Sequence, residues 1–156
     1  NYYLDMIPAF KKGDDDQTPW TPAINLAMGW SAALDALREE GVESRWERCA
    51  KMADGVRHLF TDAGFQLLAD AGQRSDTVTA IFYPEGVDDG WRTRLKEHHG
   101  TQVIGAQDQL KGKVFRVGSM GETPIEEMVE GCRRMLACFA EMGVEVPDLS
   151  VEKYFV

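Results

Sequence analysis

The chain has 156 residues, of which 44% are hydrophobic and 28% charged, and its formal net charge at pH 7 is -9. This length and balance predict one globular domain with a real core. The negative charge argues against nucleic acid or an anionic membrane as a partner. The sequence contains no apolar run of 18 residues, so we expect no transmembrane helix.

The cysteines indicate a reducing compartment. Cys49, Cys132 and Cys138 have no Cys-x-x-Cys spacing and no histidine at metal-ligand spacing. We interpret them as free, mostly buried thiols, which predicts a cytoplasmic protein without a metal site. The sequence begins at Asn1 without a methionine and is already patterned there, so we expect a piece of a longer protein.

Two helices are predicted in the first part of the chain. Residues 14–22 have the Asp, Thr and Pro content of a loop, and Thr21 before Pro22 has the pattern of a helix N-cap. Apolar spacing then predicts one helix up to Gly41 and a second helix over 42–64, with Trp46 on the apolar face of the second.

The remaining residues alternate between short strands and helices. A helix is predicted over 86–100, and a long helix follows Thr123, which is the expected N-cap. The last residues, 144–156, are predicted to be loose or to dock only at their end. A strand is predicted at 77–84, which is rich in β-branched and aromatic residues, and further short strands at 101–106 and 113–118, with a possible edge strand at 65–69.

This order of elements predicts an α+β fold. The expected core is a three- to four-stranded, mostly antiparallel sheet with helices packed on one face, preceded by a long helix.

Arg116 stands in the middle of the predicted strand "KVFRVG" and has two interpretations. In the first, Phe115 and Val117 face the core and Arg116 faces water. In the second, Arg116 projects into a cleft and binds a carboxylate through two parallel hydrogen bonds, which a lysine cannot make. Glycines on both sides, at positions 112, 118 and 121, would let a ligand approach the backbone.

The loop "QTPWTP" before the first long helix also has two interpretations. Its threonines satisfy the first N–H groups of the helix in one of them. In the other, Thr18, Thr21 and the free N–H groups form a site for an anion such as phosphate.

Four segments together resemble a known family. In order and spacing, "QTPWTPAINL", "EEGVESRWER", "SDTVTAIFYPEGVD" and "QVIGAQDQLKGKVFRVGSMG" resemble the C-terminal part of class V aminotransferases. These are pyridoxal-phosphate enzymes of fold type I, of the alanine–glyoxylate and serine–pyruvate type. The resemblance runs from about Tyr2 to about Met142.

The resemblance implies a homodimeric transferase that moves an amino group between a small amino acid and a 2-oxoacid. A large domain holds the pyridoxal 5'-phosphate, and a smaller C-terminal domain follows. By this resemblance, residues 1–40 are the loop and interdomain helix, 41–143 the small domain and 144–156 a tail.

The resemblance also implies site residues. The family's strand arginine binds the α-carboxylate of the substrate, and it corresponds to Arg116. The family's loop reaches the cofactor phosphate of the partner subunit, and the matching positions are Thr18 and Thr21, with Gln17 as a further candidate. The Schiff-base lysine lies upstream in the family and has no counterpart here. We therefore assign no catalytic residue to this chain and expect it, alone, to bind no cofactor and to catalyse nothing.

Two alternatives remain open at this point. The chain could be a non-catalytic α+β binding or dimerisation module that shares the fold. A sulfur-removing or decarboxylating relative is the other alternative; sulfur chemistry would need an exposed reactive cysteine, and the three cysteines lie on helices predicted to face the core.

Overall fold

A computed structural model describes residues 4–156 of the chain. The resemblance that starts at about Tyr2 therefore begins outside the described residues. The chain divides into two compact units, one ending at Val42 and one spanning Glu43–Val156. The helices are α1 (Met6–Gly13), α2 (Ile24–Glu40), α3 (Val42–Asp62), α4 (Gly90–His99) and α5 (Ile125–Glu141), and the strands are β1 (Val78–Phe82), β2 (Ile104–Gly105) and β3 (Val114–Gly118).

The start of α2 differs from the sequence prediction. The N-cap is Ala23, so the predicted cap at Thr21 is wrong. The carbonyl of Pro22 accepts the N–H of Ile24 at 2.9 Å, and Ala23 has φ -77° and ψ 67°. This geometry is an inverse γ-turn, which delays the helix and leaves Thr21 outside its first turn.

Helix α2 exposes its apolar side chains. In the part of the chain that the structure describes, no residue of α2 is buried. The exposed fractions of its large apolar side chains are 56% for Ile24, 75% for Leu26, 67% for Met28 and 69% for Trp30. Gly41 ends the helix with φ 88°, and its N–H donates to the carbonyl of Leu37. An apolar helix surface of this kind is the usual mark of a contact with another protein surface.

The sheet confirms the predicted fold class. The described residues form a three-stranded sheet in the order β1-β3-β2, and both neighbouring pairs are antiparallel. The first of the four predicted strands is reduced to a single bridge between Leu67 and Ile81. Strand β3 is central, and its residues Phe115 and Arg116 pair on both sides.

Aromatic residues from the sheet and two helices make the centre of the core. The ring of Trp91 in α4 stacks on Phe139 of α5, with centroids 4.2 Å apart, and Trp91 lies 4.7 Å from Phe115 of β3. All three side chains are fully buried. Trp46 was predicted to face the core and is instead 66% exposed, because the packed surface of α3 starts one turn later, at Cys49.

Helix α5 has the predicted buried face but a different start. Its N-cap is Pro124 and no side chain caps it, so the predicted cap at Thr123 is wrong by one residue. Pro124 has extended backbone, with ψ 152°, which places Thr123 outside the helix. The carbonyl of Thr123 instead accepts a hydrogen bond of 2.8 Å from Arg48 of α3.

The end of the chain docks on α3. Val151 and Phe155 lie in a short 3-10 segment and are both buried. A Cβ atom at Gly55 would lie 2.6 Å from the ring of Phe155, so this glycine is needed for the approach. Within residues 4–156, no helix has the length and apolarity needed to cross a bilayer.

We expect the Trp91→Ala substitution to lower the free energy of unfolding by about 3 to 5 kcal/mol, because it opens a cavity against Phe139 and Phe115. Denaturant unfolding of the chain measures this. Trp46→Ala is the matched control and should change the free energy of unfolding by no more than about 0.5 kcal/mol. Equal losses for the two tryptophans would contradict this description of the core.

Candidate functional site

Arg116 lies at the middle of the central strand. Its neighbours across the sheet are Ala80 on β1 and Ile104 on β2. Phe115 and Val117 on either side of it are buried in the core, whereas Arg116 is only partly buried. The first interpretation of the sequence is therefore correct about which side chains face the core.

The Arg116 guanidinium has one hydrogen bond in the described part of the chain. Its Nε donates to the carbonyl of Gly105 at 3.0 Å. No carboxylate of residues 4–156 pairs with it, and neither Nη atom has a described partner. Arg57, by contrast, is paired with both Asp54 and Asp76. The two Nη groups of Arg116 are thus available to a ligand.

A cavity of about 900 Å³ lies beside Arg116. The edge of the sheet at Ile104, the segment after β3 and the first turns of α5 form its walls. Glu126 and Glu127 line it as carboxylates, while Arg134 on its wall is paired with Glu130 at 2.8 Å. Arg116 therefore borders a concave space, as the second interpretation requires.

The segment that follows β3 is fixed by arginines of α3. Gly121 has φ 88°, a backbone conformation that glycine adopts without strain, and its carbonyl accepts hydrogen bonds from Arg45 at 3.0 Å and Arg48 at 2.8 Å. This segment carries Met120, which lines the cavity. One wall of the cavity is thereby attached to the core helix α3.

Tyr83, Asp89 and Arg92 form a polar cluster beside strand β2 that was not predicted from the sequence. The carboxylate of Asp89 accepts both the Nε and an Nη of Arg92, and its Oδ1 also accepts the Tyr83 hydroxyl at 3.0 Å. The Arg92 guanidinium holds the pKa of Asp89 below its usual range, and burial raises the pKa of Tyr83. The Asp-x-x-Arg spacing at the start of a helix could have predicted the ion pair, because residues three apart lie on the same helix face.

The three predicted phosphate-binding residues lie together in the loop before α2. Gln17, Thr18 and Thr21 are exposed. The hydroxyl of Thr18 donates to the carbonyl of Trp20 at 2.7 Å, whereas the side chains of Gln17 and Thr21 have no hydrogen-bond partner among the described residues. These residues belong to the first unit and Arg116 to the second, and each unit is described by itself.

The cysteines are free and buried, as predicted. Burial raises the pKa of Cys132 to about 12 and also raises that of Cys138. A thiol with such a pKa is protonated at neutral pH and is a poor nucleophile. Within residues 4–156, no group of three His, Cys, Asp or Glu side chains is arranged to hold a metal ion.

Comparison with known proteins finds aminotransferases among the relatives of this chain. No family model matches the chain. An uncharacterized aminotransferase of Methanocaldococcus jannaschii is 37% identical over 154 residues, which are 97% of this chain and 40% of that protein. A serine–glyoxylate aminotransferase of Hyphomicrobium methylovorum is 36% identical over 121 residues, or 76% of this chain and 29% of that protein.

A solved structure agrees with these relatives. The crystal structure of an alanine–glyoxylate aminotransferase from Nostoc sp. matches with a TM-score of 0.79 and 30% identity, over 89% of this chain and 38% of that one. The fold and its neighbours define the class as fold type I aminotransferases. The chain is similar to a C-terminal portion of class V of these enzymes. It spans about two fifths of the length of the Methanocaldococcus relative, at 40%.

The ion pair between Asp89 and Arg92 predicts a pH-dependent contribution to stability. Because the folded-state pKa of Asp89 is depressed, the contribution is present above the unfolded pKa of about 3.9 and is lost as the pH falls through the folded value. We expect Asp89→Asn to lower the free energy of unfolding at pH 7 by about 1 kcal/mol or less, since the pair is partly exposed. This difference should shrink below about pH 4.

Urea unfolding of the native chain and the variant between pH 7 and pH 2.5 measures the difference. The control is the same substitution in an Arg92→Leu background, where the guanidinium is gone and the pH-dependent step should disappear. A difference that stays constant down to the lowest pH would show that the pair does not stabilise the fold.

Proposed function

We propose that this chain is the C-terminal domain of a pyridoxal-phosphate-dependent aminotransferase that acts on a small amino acid and a 2-oxoacid. The observation that carries the proposal is Arg116, a partly buried arginine beside a cavity, with no carboxylate partner in the described residues. The serine–glyoxylate and alanine–glyoxylate names of two relatives support substrates of the alanine, serine and glyoxylate type.

The role of Arg116 is to hold the α-carboxylate of the substrate. Its Nε is engaged by Gly105, so the carboxylate would bind end-on, with one oxygen on each Nη. Two parallel hydrogen bonds would fix both the position and the rotation of the substrate. Loss of this freedom on binding lowers the entropic part of the activation barrier. Pyridoxal 5'-phosphate, when bound, supplies the electron sink that makes the α-proton removable.

The loop before α2 fits a phosphate group. Gln17 and Thr21 have exposed donor groups without described partners, and the Thr18 hydroxyl becomes a further donor if it leaves the Trp20 carbonyl. Neutral donors near a helix start suit a phosphate, because the first N–H groups of a helix lack partners inside it. We propose that this loop binds the cofactor phosphate of the partner subunit in a homodimer.

The exposed apolar side chains of α2 support the assembly. A helix with Leu26 and Trp30 at 75% and 69% exposure is unfavourable in water unless another surface covers it. We propose that α2 is the interdomain helix and is covered in the complete homodimer. The free, buried thiols favour the cytoplasm as its compartment.

The chain alone is proposed to be inactive. The resemblance puts the Schiff-base lysine upstream, in the large domain. Without that lysine, Arg116 and the loop before α2 could hold parts of the substrate and the cofactor but could not move the α-proton.

In the complete enzyme, we expect Arg116→Ala to lower kcat/KM for the amino acid by two to four orders of magnitude, equivalent to about 3 to 5 kcal/mol for a carboxylate left without its partner. Arg116→Lys should recover little, because an ammonium cannot make the two parallel bonds. Steady-state transamination with alanine or serine and glyoxylate measures this. The matched control is Arg74→Lys, at an exposed arginine away from the cavity.

Near-normal turnover in Arg116→Lys would show that Arg116 does not bind the carboxylate. No turnover in the native enzyme with any small amino acid would favour a binding or dimerisation module instead.

We also expect Thr21→Val to weaken cofactor retention, because the variant keeps the shape of the side chain and removes its hydroxyl donor. Dialysis of the complete enzyme, followed by the absorbance of the remaining cofactor, measures retention. Thr93→Val, at an exposed position of α4, is the control. Equal retention in the two variants would remove Thr21 from the phosphate site.

A further inference from the structure

We propose that Gly105 and Arg92 are positioning residues for Arg116, and that a side chain at Gly105 would misplace the guanidinium through a collision with Arg92. The inference rests on the proposed role of Arg116 in binding a substrate carboxylate. It adds two residues, from β2 and α4, that act through Arg116.

Gly105 fixes one end of the Arg116 guanidinium. Its carbonyl accepts the Nε of Arg116 at 3.0 Å, and its backbone pairs with Phe115, the residue beside Arg116 on β3. Strand β2 has only two residues, Ile104 and Gly105, so few ladder bonds hold it. The orientation of Arg116 therefore depends on where this short edge strand lies.

Arg92 packs directly against Gly105. A Cβ atom at position 105 would lie 3.0 Å from Cζ of Arg92 and 3.1 Å from its Nε and Nη2. These separations are shorter than ordinary van der Waals contact, so the guanidinium lies against the bare Cα of the glycine. The absence of a side chain at Gly105 is what permits the contact.

The position of Arg92 is restrained by its own hydrogen bonds. Its Nε and Nη2 both donate to Asp89, in a two-bond pair. Asp89 also accepts the hydroxyl of Tyr83 at 3.0 Å, and the ring of Tyr83 packs 5.4 Å from Phe115 in the core. A continuous set of contacts thus runs from the aromatic core, through Asp89 and Arg92, to Gly105.

The kinetic test uses Gly105→Ala, Arg92→Ala and the double variant in the complete enzyme. Gly105→Ala should raise KM for the amino acid roughly 3- to 10-fold and leave cofactor retention unchanged, since a displacement of a few tenths of an ångström costs less than a full 1 Å misplacement. In the double variant the obstructing guanidinium is gone, so KM should equal that of Arg92→Ala alone. Gly72→Ala, where an added Cβ meets nothing within 4 Å, is the control. The proposal would be overturned if KM of the double variant combined the separate increases of the two single variants. An unchanged KM in Gly105→Ala would also overturn it.

A second measurement is independent of activity. In ¹⁵N NMR spectra of the chain, the Nε–H of Arg116 should exchange with solvent several-fold faster in Gly105→Ala and in Arg92→Ala than in the native chain. Exchange that is unchanged in both variants would overturn the proposal, and Arg92→Ala keeps this test available if Gly105→Ala does not fold. If Arg116→Lys retains turnover while the exchange rates change as expected, the carboxylate role of Arg116 fails and the positioning contacts stand.

Discussion

The hydrogen bond between the Nε of Arg116 and the carbonyl of Gly105 joins the arginine of the central strand β3 to the short edge strand β2. It attaches a charged side chain to the backbone of the neighbouring strand and leaves both Nη groups without a described partner. An arginine that is partly buried and unpaired is costly for the fold, because its charge is partly removed from water. That cost supports the proposal that the guanidinium binds an anionic ligand.

The aromatic core explains how so short a strand can carry this geometry. Phe115 and Val117 anchor β3 from its buried face, and Trp91 stacked on Phe139 ties α4 and α5 together beneath it. The same core holds Tyr83, which leads outward to Asp89 and Arg92. Direct contacts therefore connect the interior to the sheet edge through Tyr83 and Asp89, which lie in the segment between β1 and α4.

The two units differ in how much of their apolar surface they bury. The unit from Glu43 onward buries the aromatic core, whereas α2 presents Trp30 and Leu26 to solvent. We propose that a larger assembly covers this surface, and the chain spans 40% and 29% of two aminotransferase relatives. In the proposed complete enzyme, this chain would contribute Arg116 to bind the substrate carboxylate and the loop before α2 to bind the cofactor phosphate.

Local patterns were enough to predict the α+β class and most of the element order, although α1 was not among the predicted helices and the predicted strand at 65–69 is a single bridge. Helices such as α5 repeat apolar residues at intervals that only a helix brings to one face, and β3 combines β-branched and aromatic residues with glycines at its ends. The starts of α2 and α5 were misplaced because Thr21 and Thr123 have good cap side chains but the backbone turns at Ala23 and Pro124 decided where helical geometry begins. Trp46 was misplaced because periodicity does not report where along a helix the packed surface starts.

The sequence by itself determined which residues have the chemistry for a site: a planar guanidinium in a strand, and threonines before a helix. These residues could be identified because side-chain type and local spacing are read directly from the sequence. Only the tertiary structure decided that Arg116 borders a cavity, that Gly105 holds its Nε, and that Arg92 lies against Gly105. Those contacts join α4, β2 and β3, and no local pattern encodes them, because their distances depend on how the helices pack on the sheet.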